Sequence, residues 1–215
     1  MPELFILADD ADAARQAAAS LFERVRARLA VILPAAAEVL HIGATAIPGC
    51  LTKGDLDIVV RVDPADFAAA EAGLAAAFDR NTGSIRTDAF AAFEDAGCRP
   101  PLGIQLTTKT SALDVFHRFA EALRADPALV ARYNALKQAH NNRPMTRYRA
   151  EKDAFVSAVL RSIAGSCPPE PGHRTPSATR RQPAPRDGDG LPGAVDLSGS
   201  APYCAAGWTG RRHGC

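Results

Sequence analysis

The residues best able to do chemistry lie in one stretch, His41 to Val62, which reads HIGATAIPGCLTKGDLDIVVRV. Asp55 and Asp57 are two apart at the start of a run rich in β-branched residues, which predicts a strand over Asp55 to Val62. Period-two geometry puts both carboxylates on one face. Two aligned carboxylates are hard-oxygen ligands suited to Mg2+. Upstream, a short predicted strand over Glu38 to Ile42 runs into Gly43. Having no Cβ, Gly43 lets the amides of the turn Gly43, Ala44 and Thr45 come close to a ligand. With a short helical start near Thr45 to Ile47, those amides suit phosphate oxygens. About a dozen residues separate Gly43 from Asp55, room for the two strands to pair and bring the turn beside the acids. A metal on Asp55 and Asp57 would then bridge to a nucleotide's phosphates, neutralise charge and orient the nucleophile. The plainer alternative is a strand entrance carrying two solvated acids.

Other chemistries find no footing. The chain has no G-x-x-x-x-G-K-[ST] phosphate loop, no G-x-S-x-G and no H-E-x-x-H. Its five cysteines, Cys50, Cys98, Cys167, Cys204 and Cys215, form no C-x-x-C pair, which argues against a disulfide framework or a structural zinc. Basic and acidic residues balance at 25 to 24, so there is no strong nucleic-acid signal. No stretch approaches the roughly 18 uninterrupted apolar residues of a membrane helix. The N-terminus, MPELFILADDADAARQ, has no basic leader region, and the expected location is the cytoplasm.

Several single residues have two readings each. His41 reads as a half-buried structural histidine in preference to a catalytic base. Lys137 with His140, and Lys152 with Tyr148, fall at helical spacing. They make either a basic lip for a nucleotide's phosphates or a solvated face with Tyr133, Tyr148 and Phe155 packed below. Asp114 falls at the start of a predicted helix and reads chiefly as its cap.

The elements that must hold these residues can be read from periodicity. Ala11 to Leu33 carries Leu21, Phe22, Val25, Leu29 and Ile32 at helical spacing, and Pro34 stops it. Pro64 to Phe78 predicts a second helix. Residues 81–101 are mixed, with a strand expected over Ser84 to Thr87. Leu102 to Thr108 alternates as a third core strand. Helices follow over Leu113 to Leu123, over Ala128 to His140 with Asp126 as cap and Pro127 as first residue, and over Thr146 to Ile163. The order predicts an α/β (α+β) layer fold, a small sheet flanked by helices with a C-terminal helical part, in a domain spanning 1–164. From 165 to 215 about a third of the residues are Pro or Gly, which predicts a disordered tail.

The run His41-Ile42-Gly43-Ala44-Thr45-Ala46-Ile47-Pro48-Gly49 resembles the H-[IV]-G-S-T-[AS]-[VI]-P-G signature of GrpB-family proteins. Lys53-Gly54-Asp55-Leu56-Asp57-Ile58-Val59-Val60 is similar to the family's second block, an acidic pair entering an apolar strand. Phe116, Leu123, Arg124, Pro127, Tyr133, Leu136, Lys137, Tyr148, Lys152 and Phe155 resemble its helical half, so the likeness covers about residues 15–163. The resemblance implies a nucleotidyltransferase-like mixed sheet, Mg2+ as cofactor and a nucleoside triphosphate as partner. It also exposes two departures. Ala44 stands where the family usually has Ser. Active nucleotidyltransferases add a third carboxylate from a later strand, whereas Leu102 to Thr108 offers Gln105. Asp114 lies just beyond and would have to reach in. The two readings that remain are a transferase and a nucleotide-binding or scaffold module without catalysis.

Overall fold

The structure, a computed structural model, describes residues 2–165. The N-terminal segment contributes a two-residue strand, β1 (Leu4–Phe5), before the long helix α1 (Ala11–Ile32). Asp10 caps α1 by accepting from the amides of Asp12 and Ala13, which satisfies donors that a helix start leaves open. Next come β2 (Glu38–Ile42), a 3-10 turn over Ala44–Ala46, and β3 (Leu56–Val62). A 3-10 turn at Pro64–Asp66 opens α2 (Phe67–Ala75), followed by β4 (Asp79–Arg80), β5 (Phe90–Asp95) and β6 (Leu102–Thr108). The C-terminal half is helical: α3 (Phe116–Ala125), α4 (Pro127–His140) and α5 (Met145–Gly165), with β7 (Arg143–Pro144) between the last two.

β2, β3, β6, β5 and β4 lie in that order in one mixed sheet. Only β3 and β6 run parallel; the other pairs are antiparallel. Alternation along β3 sorts its side chains. Leu56, Ile58, Val60 and Val62 join Leu21, Leu29 and Leu74 of α1 and α2 in one core. Val59 faces the other way, with Phe90 and Ala92, into a second core built with Phe119, Leu123, Tyr133 and Leu160 of α3 to α5. Asp57 shares the Val59 face, because a strand's side-chain period is two. It therefore points at the helical half. The expected α/β layer architecture is present. Asp126 caps α4 through the Ala128 amide with Pro127 at the first helical position.

Two expectations are corrected. No strand forms over Ser84 to Thr87. Asn81 instead organises a turn there, its side-chain oxygen taking the Gly83 amide and its carbonyl the Ser84 amide. The strand is Phe90–Asp95, whose four leading residues, Phe-Ala-Ala-Phe, are all buried. A strand buried on both faces loses the polar alternation that identifies strands in sequence. The small strands β1 and β7, which pair through Leu4 with Pro144 and Phe5 with Arg143, also lie beyond the expectations. The predicted tail, apart from Gly165, falls outside the described residues. Among the described residues no helix is long and apolar enough to cross a membrane.

Candidate functional site

β2 and β3 are antiparallel neighbours, and Ile42 pairs with Asp57. The turn that follows Ile42 therefore lands on the acidic pair. Gly43 takes φ +75 and leads the 3-10 turn, where the amide of Ala46 donates to the Gly43 carbonyl. A Cβ at Gly43 would collide with the Asp57 carboxylate. On the other side of Asp57 lies Gly103 of β6, its partner in register. A Cβ there would sit 3.3 Å from Asp57 Oδ1. Two missing side chains thus make the slot that Asp57 occupies.

Thr45 ties the turn to the strand. Its hydroxyl donates to the Asp55 carbonyl at 2.9 Å and so accepts from His41 Nε2 at 3.0 Å. The ring of His41 stacks on Phe22. Burial, with help from the nearby Arg124 guanidinium, pushes the imidazole down to about 4, so it is neutral at ordinary pH. His41 is a structural histidine. The Thr45 hydroxyl, the neighbour of Ala44, is engaged in holding the strand start.

The acidic pair opens on a cavity between the sheet and α4–α5. Ala44, Thr52, Lys53, Asp55 and Asp57 form one wall; Tyr133, Lys137, Tyr148, Arg149 and Lys152 form the other. Lys53 makes an ion pair with Asp55 Oδ2. Asp57 keeps part of its surface open but lies deep in the protein. Burial, and then the Asp55 charge, push its carboxyl up to about 7, against the pull of Lys53, Lys152 and Lys137. Lys152 is drawn down to about 8 by burial, a drop moderated by Asp153 and Asp57.

A family profile described as GrpB protein matches residues 12–162. The chain belongs to the GrpB family. A UPF0157 protein of Vibrio cholerae is 31% identical over 151 residues, 70% of this chain and 79% of the relative. A solved GrpB protein from Enterococcus faecalis superposes with a TM-score of 0.55 at 21% identity, covering 69% of this chain and 93% of that one. Cid1 poly(U) polymerase, in a structure with MgATP bound, gives a TM-score of 0.41 at 14% identity over 58% of this chain and 40% of its own.

In this GrpB chain the helical lysines are not on a solvated face, which corrects the plainer reading of them. Lys137 is 2% exposed and Lys152 is 6% exposed. Lys137 Nζ donates to the Leu51 carbonyl, contacts Cys50 Sγ at 3.1 Å and lies 4.0 Å from the centre of the Tyr133 ring. Burial lowers its pKa. Asn134 of α4 clamps the same loop, taking the Leu51 amide and donating to the Gly49 carbonyl, both at 2.8 Å. α4 and α5 each carry a tyrosine followed four residues on by a lysine, Tyr133 with Lys137 and Tyr148 with Lys152. The two phenol oxygens meet at 3.3 Å. His140 turns away to Glu151.

Asp114 is neither a helix cap nor a third acid. α3 begins at Phe116 without a side-chain cap. Asp114 instead grips Arg61 through 2.6 and 2.7 Å bonds and accepts the Thr110 amide. Burial would raise its pKa, but those bonds outweigh it and the carboxyl is lowered. Arg61 lies four residues along β3 from Asp57, about 13 Å at strand spacing. Gln105 is buried on the Asp57 face, and its amide has no hydrogen-bond partner among the described residues. Those residues contain no group of three or more His, Cys, Asp and Glu arranged to hold a metal. Sequence reasoning did not single out Lys53 or Gly103. Lys53 stands inside the quoted acidic block, a signal passed over; Gly103 carries none without the register of β3 on β6.

Proposed function

We propose that this GrpB protein binds a nucleoside triphosphate with Mg2+ in the cavity between the sheet and α4–α5. One observation carries the reading: two carboxylates, Asp55 just before β3 and Asp57 within it, share a cavity with Lys53, Lys137 and Lys152. The donor set fits Mg2+, which prefers carboxylate oxygens and retains much of its water. Asp55 and Asp57 would hold it. A bound cation would neutralise phosphate charge and orient the phosphates. It would also offset the burial and, after it, the Asp55 repulsion that push the Asp57 carboxyl up to about 7. Lys53, released from Asp55, would then face the phosphates together with Lys137 and Lys152. The amides of the Gly43, Ala44 and Thr45 turn supply further donors. This chemistry suits the cytoplasm.

Nucleotidyl transfer is the reaction such a site would support, with an acceptor group attacking the α-phosphorus. A non-catalytic nucleotide-binding module, regulatory or scaffolding, is the second reading. It is favoured by Gln105 on the strand beside the acids and by Asp114 held on Arg61. Calorimetry with ATP, GTP, CTP and UTP, each with and without Mg2+, tests the binding reading. The expected result is a Mg2+-dependent heat for at least one nucleotide. Silence from all four at millimolar concentration sinks it.

A further inference from the structure

The cavity has one wall built from a third, smaller cluster, in which Phe5, Met145 and Tyr148 are buried with Leu7 and Leu136 packed against them. Phe5, on the N-terminal strand β1, reaches into the cavity and lies flat on Tyr148, ring centres 3.7 Å apart and planes 16° from parallel. Phe5 is 2% exposed and Tyr148 is 6% exposed, so the stack is complete. The segment that delivers Phe5 is lightly held. β1 pairs only with the two-residue β7. Around it, Asn142 donates its amide to the Phe5 carbonyl, Met145 to Glu3, and Ala8 to Thr52, and the Leu7 amide donates to the Asn141 side chain at 3.0 Å. A half-exposed ion pair joins Arg149 to Glu3. Its outer side chains, Leu4 and Ile6, are 43% and 53% exposed. Two-stranded ribbons of this kind are marginal by themselves, and segments with few buried contacts open first.

We propose that the face of Tyr148 is a shelf for a flat aromatic ring of the ligand, and that Phe5 holds the place until the ligand displaces it. The inference rests on the nucleotide reading and deepens it by assigning the base. Tyr148 stands one turn of α5 from Lys152, so a ring on the shelf leaves its attached phosphates running toward Lys152 and Asp57. The phenol of Tyr148 is fixed by the Tyr133 hydroxyl, which keeps the shelf flat when Phe5 leaves. Stacking tolerates any base, so the shelf selects a nucleotide over a bare polyphosphate without choosing among nucleotides.

Calorimetry with Mg2+ on the full chain, comparing ATP with inorganic tripolyphosphate, tests this. Phe5→Ala and the more conservative Phe5→Leu should tighten ATP by up to about tenfold, the scale of one aromatic pair, and leave tripolyphosphate unchanged. Tyr148→Leu should weaken ATP and spare tripolyphosphate. An ATP-to-tripolyphosphate ratio that stays constant across wild type and all three variants overturns the shelf while the phosphate site stands. Loss of ATP binding in both Phe5 variants makes Phe5 a structural support and also overturns it. If neither probe binds to any of the proteins, the nucleotide reading falls and takes the shelf with it.

Discussion

Gly43 is pressed against Asp57 so closely that a Cβ on the glycine would stand 2.9 Å from the aspartate's own Cβ. The turn and the acid are therefore one structural unit. Gly43→Ala adds that atom and also forces an L side chain to φ +75. With ψ at −176 this is a region almost reserved for glycine, and the conformation alone costs about 1–3 kcal/mol. The variant should melt several degrees below wild type and lose nucleotide affinity together with stability. A variant that melts like wild type would show that the turn can move off the acid.

Asp57 gives a pH signature. Its carboxyl titrates near 7 when folded and near 3.8 when unfolded. Between those values the folded chain keeps a proton that the unfolded chain has lost. Its contribution to stability therefore falls as pH rises from about 4 to 7 and is flat above. Asp57→Asn removes the titration. Its melting temperature should gain on wild type across that window and hold the gain at pH 8, while Mg2+-dependent nucleotide binding is lost. A difference that does not vary with pH would mean that the carboxyl is ionised throughout.

His41 runs the opposite way. The folded imidazole is pushed down to about 4 from the ordinary 6.5. Between those values the unfolded chain takes a proton that the folded chain refuses. Stability tied to His41 is therefore complete above about 6.5 and is lost as pH falls toward 4. Proton NMR of the ring should show no titration above pH 5. A midpoint near 6.5 would mean that the ring is solvated and that the bond to Thr45 is open.

Much of this site was legible because its parts are close in sequence. A glycine after a strand and two acids on the next strand are local patterns, and antiparallel pairing of β2 with β3 is the simplest way to join them. Gly103 was not legible, because its role depends on a parallel crossover that sets it beside Asp57. The burial of Lys137 and Lys152 was hidden too. Their helices have polar residues on several sides, and only the packing of α4 on α5 decides which side is inside. Asp114 misled for a similar reason. Its place before a helix suggests a cap, yet its partner, Arg61, lies 53 residues away. β5 escaped because alanine carries little strand preference.

The buried lysines should behave as ligand-binding groups held at some expense to the fold. Burial lowers the pKa of both lysines despite the opposing pull of their neighbours, so each charge loses more in desolvation than its partners return. Lys137→Met and Lys152→Met should therefore keep or raise the melting temperature while each lowers nucleotide affinity by about tenfold, a typical weight for one charged hydrogen bond. Collapse of the fold in both variants, with binding never measurable, would assign them to stability: Lys137 through the loop at Leu51 and Lys152 through its acidic neighbours.

The last prediction concerns catalysis. Transfer of a nucleotidyl group depends on charge placed accurately around the phosphates, and each acid that holds the metal matters by orders of magnitude. This site offers Asp55 and Asp57, with Asp55 also engaged by Lys53. Gln105 can lend a carbonyl oxygen, but it carries no charge and cannot take a proton. Asp114 would have to abandon two bonds to Arg61 and cross about four residues of β3, roughly 13 Å. Breaking that half-buried pair costs on the order of 1–3 kcal/mol. Turnover should therefore be weak or absent when labelled nucleotides meet protein, nucleic-acid and small-molecule acceptors. Asp114→Asn should lower the melting temperature and leave nucleotide binding intact. Robust transfer that vanishes in Asp57→Asn and survives in Asp114→Asn would show that two acids suffice. Transfer lost in both, with Asp114→Asn still folded, would mean that Asp114 leaves Arg61 when substrate arrives.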